Sequence, residues 1–249
     1  MHQFWKTAML GGVIGAGASL LIVFGAVVLG IVPVASDARI HDYLMAHPKL
    51  AYEMQALAET QDAEAAGLEE QAAVKKLGLK KFFDPAVAYV TGPANAKNTF
   101  VEFFDYNCSH CRNTFPIVQK YYEKHKNDTR FAFVDFPIFG EASTNAARTA
   151  VAARHQGDKY IAFHFALMSQ TQGEDAGSRE SLLANARRAG MDIPKLSADI
   201  LNPSTDKTLL AAIRLAREAK FRGTPVFIIN GKVHDGEITD ADIKELTRS

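Results

Sequence analysis

The stretch Phe100–Pro116, FVEFFDYNCSHCRNTFP, decides how this chain is read. Its first half, Thr99 to Phe104, is a strongly apolar run of the kind that forms a buried strand. A helical pattern then occupies Ser109 to Lys126. Between the two lies Cys108-Ser109-His110-Cys111, a pair of cysteines two residues apart at a predicted helix start. Unpaired N–H groups there carry roughly half a positive charge, which favours a thiolate. The spacing lets both sulfurs meet, with the first exposed and the second shielded, so the pair can form, break and pass on a disulfide. Cys108 is the expected attacking thiolate and Cys111 the resolving thiol. His110 adds a donor or a positive charge that lowers the thiol pKa further.

Outward from this motif, strand and helix alternate. Val87 to Val90 is extended, and Arg130 to Phe136 reads as the strand after the helix, a strand–helix–strand unit that favours a parallel pair. Helical patterns follow over Ala142–His155, Asp158–Ser169, Ser178–Ala189 and Asp206–Phe221. Tyr160 to Phe165, with His164, reads as core of these helices. Val226–Ile229, Asn230-Gly231 and Lys232–His234 signal a hairpin with a type I′ turn, and a short helix over Asp240–Thr247 closes the chain. The expected architecture is an α/β sheet domain over 81–249 with a helical insertion at about 140–203.

Before the body, Ala8 to Val32 contains no charged residue. As a helix it is long enough to cross a bilayer, whose apolar core is about 30 Å thick. Residues 1–35 are therefore expected to be a single-pass transmembrane anchor, the rival reading being a cleaved signal segment. Lys6 before the span and Asp37 after it favour a cytoplasmic amino terminus. The body would then face the periplasm from the inner membrane, where disulfide chemistry is normal. Residues 36–80 read as a helical neck. Ile40 and Leu44 share one face, and Leu50, Met54 and Leu57 form a short seam, with Gly67 and Gly78 interrupting the helical signal. A solvated spacer and an oligomerisation stalk both fit.

Composition removes several function classes. The chain has 249 residues with 28 basic and 28 acidic side chains, a balance that argues against nucleic-acid binding. Its two cysteines are both in the motif, so no cysteine remains for an ordinary structural bridge or for a second half of a zinc site. The other histidines are scattered, and the motif calls for no metal or cofactor. Copper(I) capture by Cys108 and Cys111 is the one metal alternative.

Phe100–Pro116 resembles the active-site region of DsbA-like thiol-disulfide oxidoreductases, which have the thioredoxin fold. The strand runs into the CxxC, and Pro116 lies inside the first helix. Phe136-Pro137-Ile138-Phe139-Gly140 is similar to the segment leading into that family's helical insertion, and Arg222-Gly223-Thr224-Pro225-Val226 to its cis-proline loop. The resemblance spans about Phe82 to Ser249, and the neck is similar to that of ScsC-like and Com1-like relatives, where it assists self-association. It implies that Pro225 is cis and that the Thr224 backbone binds an extended substrate chain. It also implies that Glu102 is a buried acid with a raised pKa, suited to proton exchange with Cys111. Two positions depart from well-known relatives: Asn107 stands where thioredoxins proper carry Trp, and the dipeptide is Ser-His rather than Pro-His. The implied function is dithiol–disulfide exchange on exported proteins with cysteines, as an oxidase served by a membrane redox partner. The alternatives are an isomerase or reductase, oligomeric through the neck, and a copper-tolerance protein.

Overall fold

The computed structural model describes residues 37–170 and 177–248. The apolar span Ala8–Val32 lies outside them. Among the described residues no helix is long and apolar enough to cross a membrane. The described residues fall into two compact units that are divided in the sequence between Asp62 and Ala63.

In the first unit, helix α1 (Asp37–Ala46) is followed by the opening turns of helix α2 (Lys49–Leu77). Ile40, Tyr43, Met45, Tyr52, Met54 and Leu57 are all exposed. One expectation is corrected here: Gly67 does not interrupt the helix, which runs through it to Leu77. A mid-helix glycine costs only about 1 kcal/mol against Ala, and its neighbours are strong helix formers. Gly78, at φ 80°, is where the helix stops.

The second unit is built on two central strands. β2 (Asn98–Phe104) and β3 (Thr129–Asp135) run parallel, with Phe100 opposite Phe131 and Glu102 opposite Phe133. They are joined by helix α3 (Ser109–His125), since a parallel pair needs a crossover. β1 (Tyr89–Thr91) flanks β3, while β4 (Val226–Ile229) and β5 (Lys232–Asp235) extend the other side, giving the order β1-β3-β2-β4-β5. Every pairing except β2–β3 is antiparallel. The β4–β5 turn has Asn230 and Gly231 at φ 51° and 82°, the positive values a type I′ turn demands. Asn230 also accepts the Thr99 N–H at 2.9 Å, tying the turn to β2. The exposed side of β5 is blunted by Gln71 of α2, which binds Gly231 O at 2.8 Å and the Val233 N–H at 2.9 Å.

β2 and β3 read as continuous apolar runs because both sheet faces are covered. On one face Val101, Phe103, Ala132 and Val134 pack with Leu215 and Phe221, near helix α8 (Pro203–Glu218) and its end. On the other, Phe100, Phe104, Phe131 and Phe133 pack with the two cysteines and with the inserted helices. The insertion comprises α4 (Gly140–Ala153), a 3-10 turn at Arg154–Gln156, α5 (Lys159–Met168), α6 (Arg179–Arg188) and α7 (Ile193–Ile200). Helix α7 was not anticipated. It is only two turns long, but Asp192 caps it by accepting the Lys195 N–H, and Pro194 occupies its first turn. Helix α8 starts at Pro203, three residues before the expected Asp206, because Asn202 caps it. The chain ends in helix α9 (Asp240–Leu246), opened by a capping box between Thr239 and Asp242.

Candidate functional site

The backbone delivers Cys108 to the amino-terminal end of α3. It is the N-cap residue, with extended φ/ψ of −77° and 119°, and Cys111 follows within the first turn. Asp105 fixes the loop before it. One carboxylate oxygen accepts the Asn107 N–H at 2.8 Å; the other accepts those of Ile138 and Phe139 at 2.7 and 3.2 Å. The segment entering the insertion is thus fastened to the loop carrying the cysteines. From the opposite side comes the loop before β4, where the Thr224–Pro225 peptide bond is cis. The Cys108 thiol donates to the Thr224 carbonyl at 3.1 Å.

That contact corrects one expectation. Cys108 was expected to be exposed, yet it retains only 1% of its surface, because the Thr224–Pro225 loop lies against it. The cover is shallow: His110 is exposed and Ser109 half-buried. Cys111, fully buried, is the deeper sulfur. Both cysteines are free.

The two thiols are driven apart in acidity. The Cys108 thiol is lowered to about 6, chiefly by a hydrogen bond from Cys111, against the cost of burial. The Thr224 side chain and backbone N–H groups of the first turn add to the lowering. The Thr224 hydroxyl has no partner while Cys108 is a thiol. Ionisation breaks the bond from sulfur to carbonyl and gives that hydroxyl an acceptor. Burial pushes the Cys111 thiol well above its usual range, and the bond it makes to Cys108 adds to this.

Glu102 sits on the cysteine side of β2, between Phe133 of β3 and Phe227 of β4. It is 2% exposed, and burial raises its carboxyl to about 8. One carboxyl oxygen has no hydrogen-bond partner, and its charge contributes to raising Cys111. The structure therefore brings Glu102, Cys108, Cys111, Thr224 and Pro225 together. His110 is placed beside them, with its ring turned to Glu237 at 2.7 Å, and it reaches Cys108 through its backbone N–H.

Sequence reasoning missed Asp105 and Glu237. The Asp105–Asn107 spacing is an Asx-turn signal that could have found the first. Nothing local marks the second. His164, expected in the core, is buried and hydrogen-bonded to Tyr106 at 2.9 Å, with its pKa lowered to about 3 by burial. Among the described residues no group of three or more His, Cys, Asp or Glu side chains is placed to hold a metal ion.

A parallel strand pair joined by a helix that opens on a CxxC, facing a cis-proline loop, defines a thioredoxin fold. The sequence model of the Thioredoxin family matches residues 86–247, and the chain belongs to that family. A solved thioredoxin-like oxidoreductase from Silicibacter pomeroyi DSS-3 superposes with a TM-score of 0.61 at 35% identity, covering 68% of this chain and 95% of that one. The Disulfide bond formation protein D of Bacillus subtilis (strain 168) is 28% identical over 167 residues, 63% of this chain and 73% of that protein. The Na(+)/H(+) antiporter NhaA of Herminiimonas arsenicoxydans is 25% identical over 163 residues, 66% of this chain; the match spans only 25% of the antiporter's length.

Proposed function

We propose that this protein is a thiol-disulfide oxidoreductase that donates disulfides to exported proteins through Cys108 and Cys111. The observation that carries the reading is the opposite tuning of two neighbouring thiols, Cys108 down to about 6 and Cys111 up. A stabilised thiolate favours the reduced form, which makes the disulfide an oxidant. In the oxidised protein a client thiolate attacks Cys108 Sγ, and the Cys108–Cys111 bond breaks with its electron pair on Cys111. Cys111 then takes up a proton, for which the buried Glu102 carboxyl is the nearby donor. A second client thiolate attacks the client sulfur of the mixed disulfide. Cys108 leaves as a thiolate, a good leaving group because its pKa is low.

The Thr224–Pro225 loop offers backbone to an extended client chain, as in strand addition. Ile138 and Phe139, both exposed, stand on the segment that Asp105 grips. A groove of about 400 Å³ lined by Ser109, Arg112, Phe115, Pro116 and Met168, among others, opens at the start of α3. These features suit a cysteine-bearing polypeptide. The charge-free span Ala8–Val32 supports an anchor in the inner membrane with the body in the periplasm, where a membrane redox partner would reoxidise it.

Replacing Cys108 by Ser is expected to abolish catalysed oxidation of a dithiol peptide, by at least about a hundredfold. Retention of that activity refutes the mechanism. A second reading, a self-associating isomerase or reductase, is favoured by the exposed apolar side chains Tyr43, Met45, Tyr52, Met54 and Leu57. The resting redox state in the cell separates the two: a disulfide supports the oxidase, a dithiol the isomerase.

A further inference from the structure

His110 lies between the cysteines, and its ring meets a residue 127 positions away in sequence. Nδ1 stands 2.7 Å from Glu237 Oε1, and the same oxygen accepts the Asn113 side-chain N–H at 3.0 Å. Glu237 is held there by the chain on both sides. Gly236, at a φ of 86° that favours glycine, donates its N–H to Pro225 O at 2.9 Å. Ile238 donates its N–H to the Thr114 hydroxyl at 3.1 Å and accepts from it at 3.0 Å. His234 Nε2 lies 2.9 Å from the Glu237 carbonyl. Glu237 is thus pinned between the cis-proline loop and α3.

We propose that Glu237 is a positioning residue that restrains the oxidising power of the Cys108–Cys111 disulfide by engaging the positive charge of His110. The inference rests on the thiol-disulfide reading and gives that site its redox poise. Beside an ionised Cys108, whose own charge favours the protonated ring, a bare imidazolium stabilises the thiolate, and hence the reduced form, more than an imidazolium paired with a carboxylate does. Glu237 draws the ring's Nδ1 side to itself. The His110 imidazole is raised by its bond to Glu237 first and by the Cys108 charge to a lesser degree, so the two anions compete for one cation. Glu237 is in turn lowered by Asn113 and His110. The His110 and Glu237 side chains are 66% and 46% exposed, so solvent screens the effect and keeps it modest.

The test equilibrates the protein with glutathione. The protein disulfide plus two glutathione thiols gives the protein dithiol plus one glutathione disulfide; two electrons enter the cysteine pair, and one of the two protons goes to solvent when Cys108 ionises. Glu237→Gln is expected to shift this equilibrium three- to tenfold towards the protein dithiol, about 14 to 30 mV for a two-electron couple. The Cys108 thiolate should titrate at lower pH in the same variant, and Glu237→Ser should act in the same direction. In a His110→Ser background the Glu237→Gln shift should fall below twofold. An unchanged constant, or a shift towards the disulfide, overturns the proposal. An equal shift in both backgrounds overturns the route through His110. Wild-type oxidation of a dithiol peptide is measured in parallel. If the wild type is inactive, the oxidoreductase reading fails; if it is active and Glu237→Gln is silent, only the role of Glu237 fails.

Discussion

Glu102 is a residue whose burial and raised pKa the family resemblance implied and the packing of β2 explains. The period-2 alternation of β2 puts it on the same face as Phe100 and Phe104, and that face is the one that meets the cysteines. Desolvation by the aromatic residues of β3 and β4 keeps its carboxyl protonated at neutral pH, with a pKa of about 8. A protonated acid near Cys111 can give and take the proton that thiol exchange requires. Glu102→Gln keeps the shape and removes that capacity. It is expected to slow formation of the mixed disulfide, the step in which Cys111 leaves and takes up a proton, about tenfold or more, with the Cys108 titration left near its wild-type position. Rapid-mixing kinetics of the oxidised protein with a dithiol peptide checks this, and an unchanged rate of mixed-disulfide formation removes Glu102 from proton transfer. Glu237 had no comparable signal. Its meaning comes from a hydrogen bond across 127 positions, which no local pattern encodes.

At the scale of elements, the strong apolar runs and the Asn-Gly turn were legible in the sequence, whereas the capped starts of α7 and α8 were missed. The apolar strands, the Asn-Gly turn and the helix closed by Ser178 and Gly190 needed no tertiary information. Errors fell where tertiary packing or a weak signal decides. Helix α7, only two turns long, was not separated from its neighbours despite its Asp192 cap and Pro194, and α2 passes Gly67. The join between β3 and the insertion was also invisible. Asp135 at the end of β3 pairs with Arg154 in the turn after α4, both side chains buried. Arg154 also stands over the Tyr160 ring of α5, 5.9 Å from its centre. Removing one partner of such a pair leaves an uncompensated buried charge. Arg154→Met is expected to destabilise the protein by about 3–5 kcal/mol in urea unfolding. Adding Asp135→Leu should recover most of that loss, because a buried pair can be replaced by packed apolar groups. A double variant as unstable as the single one would show that the loss comes from packing rather than charge.

For the molecule as a whole, the Cys108 thiolate couples redox state to stability. Its folded pKa, about 6, lies below the ordinary value of 9.0. A group depressed on folding contributes stability that is fully present above its unfolded pKa and lost as pH falls through its folded one. The reduced protein should therefore gain on the oxidised protein as pH rises from 6 to 9. The gain amounts to up to about 4 kcal/mol, on the order of 10 °C in Tm for a chain of this size. Thermal unfolding of both forms at pH 5.5 and pH 9 measures it. A gap that is flat or shrinks with rising pH contradicts a depressed thiol.

The sequence by itself determined the α/β plan and the placement of a two-cysteine motif at a helix start; the proline loop facing it was legible only through resemblance to a known family. The plan and the motif's place are written in local order: alternation, apolar runs, caps and turn residues. Tertiary structure alone decided that Cys108 would be covered by Thr224, that His110 would answer to Glu237, and that Asp105 would bind the insertion to the redox loop. The reason is physical. Backbone preference acts between neighbours in the chain, whereas burial and charge act between neighbours in space, and a sulfur's acidity is set by the latter.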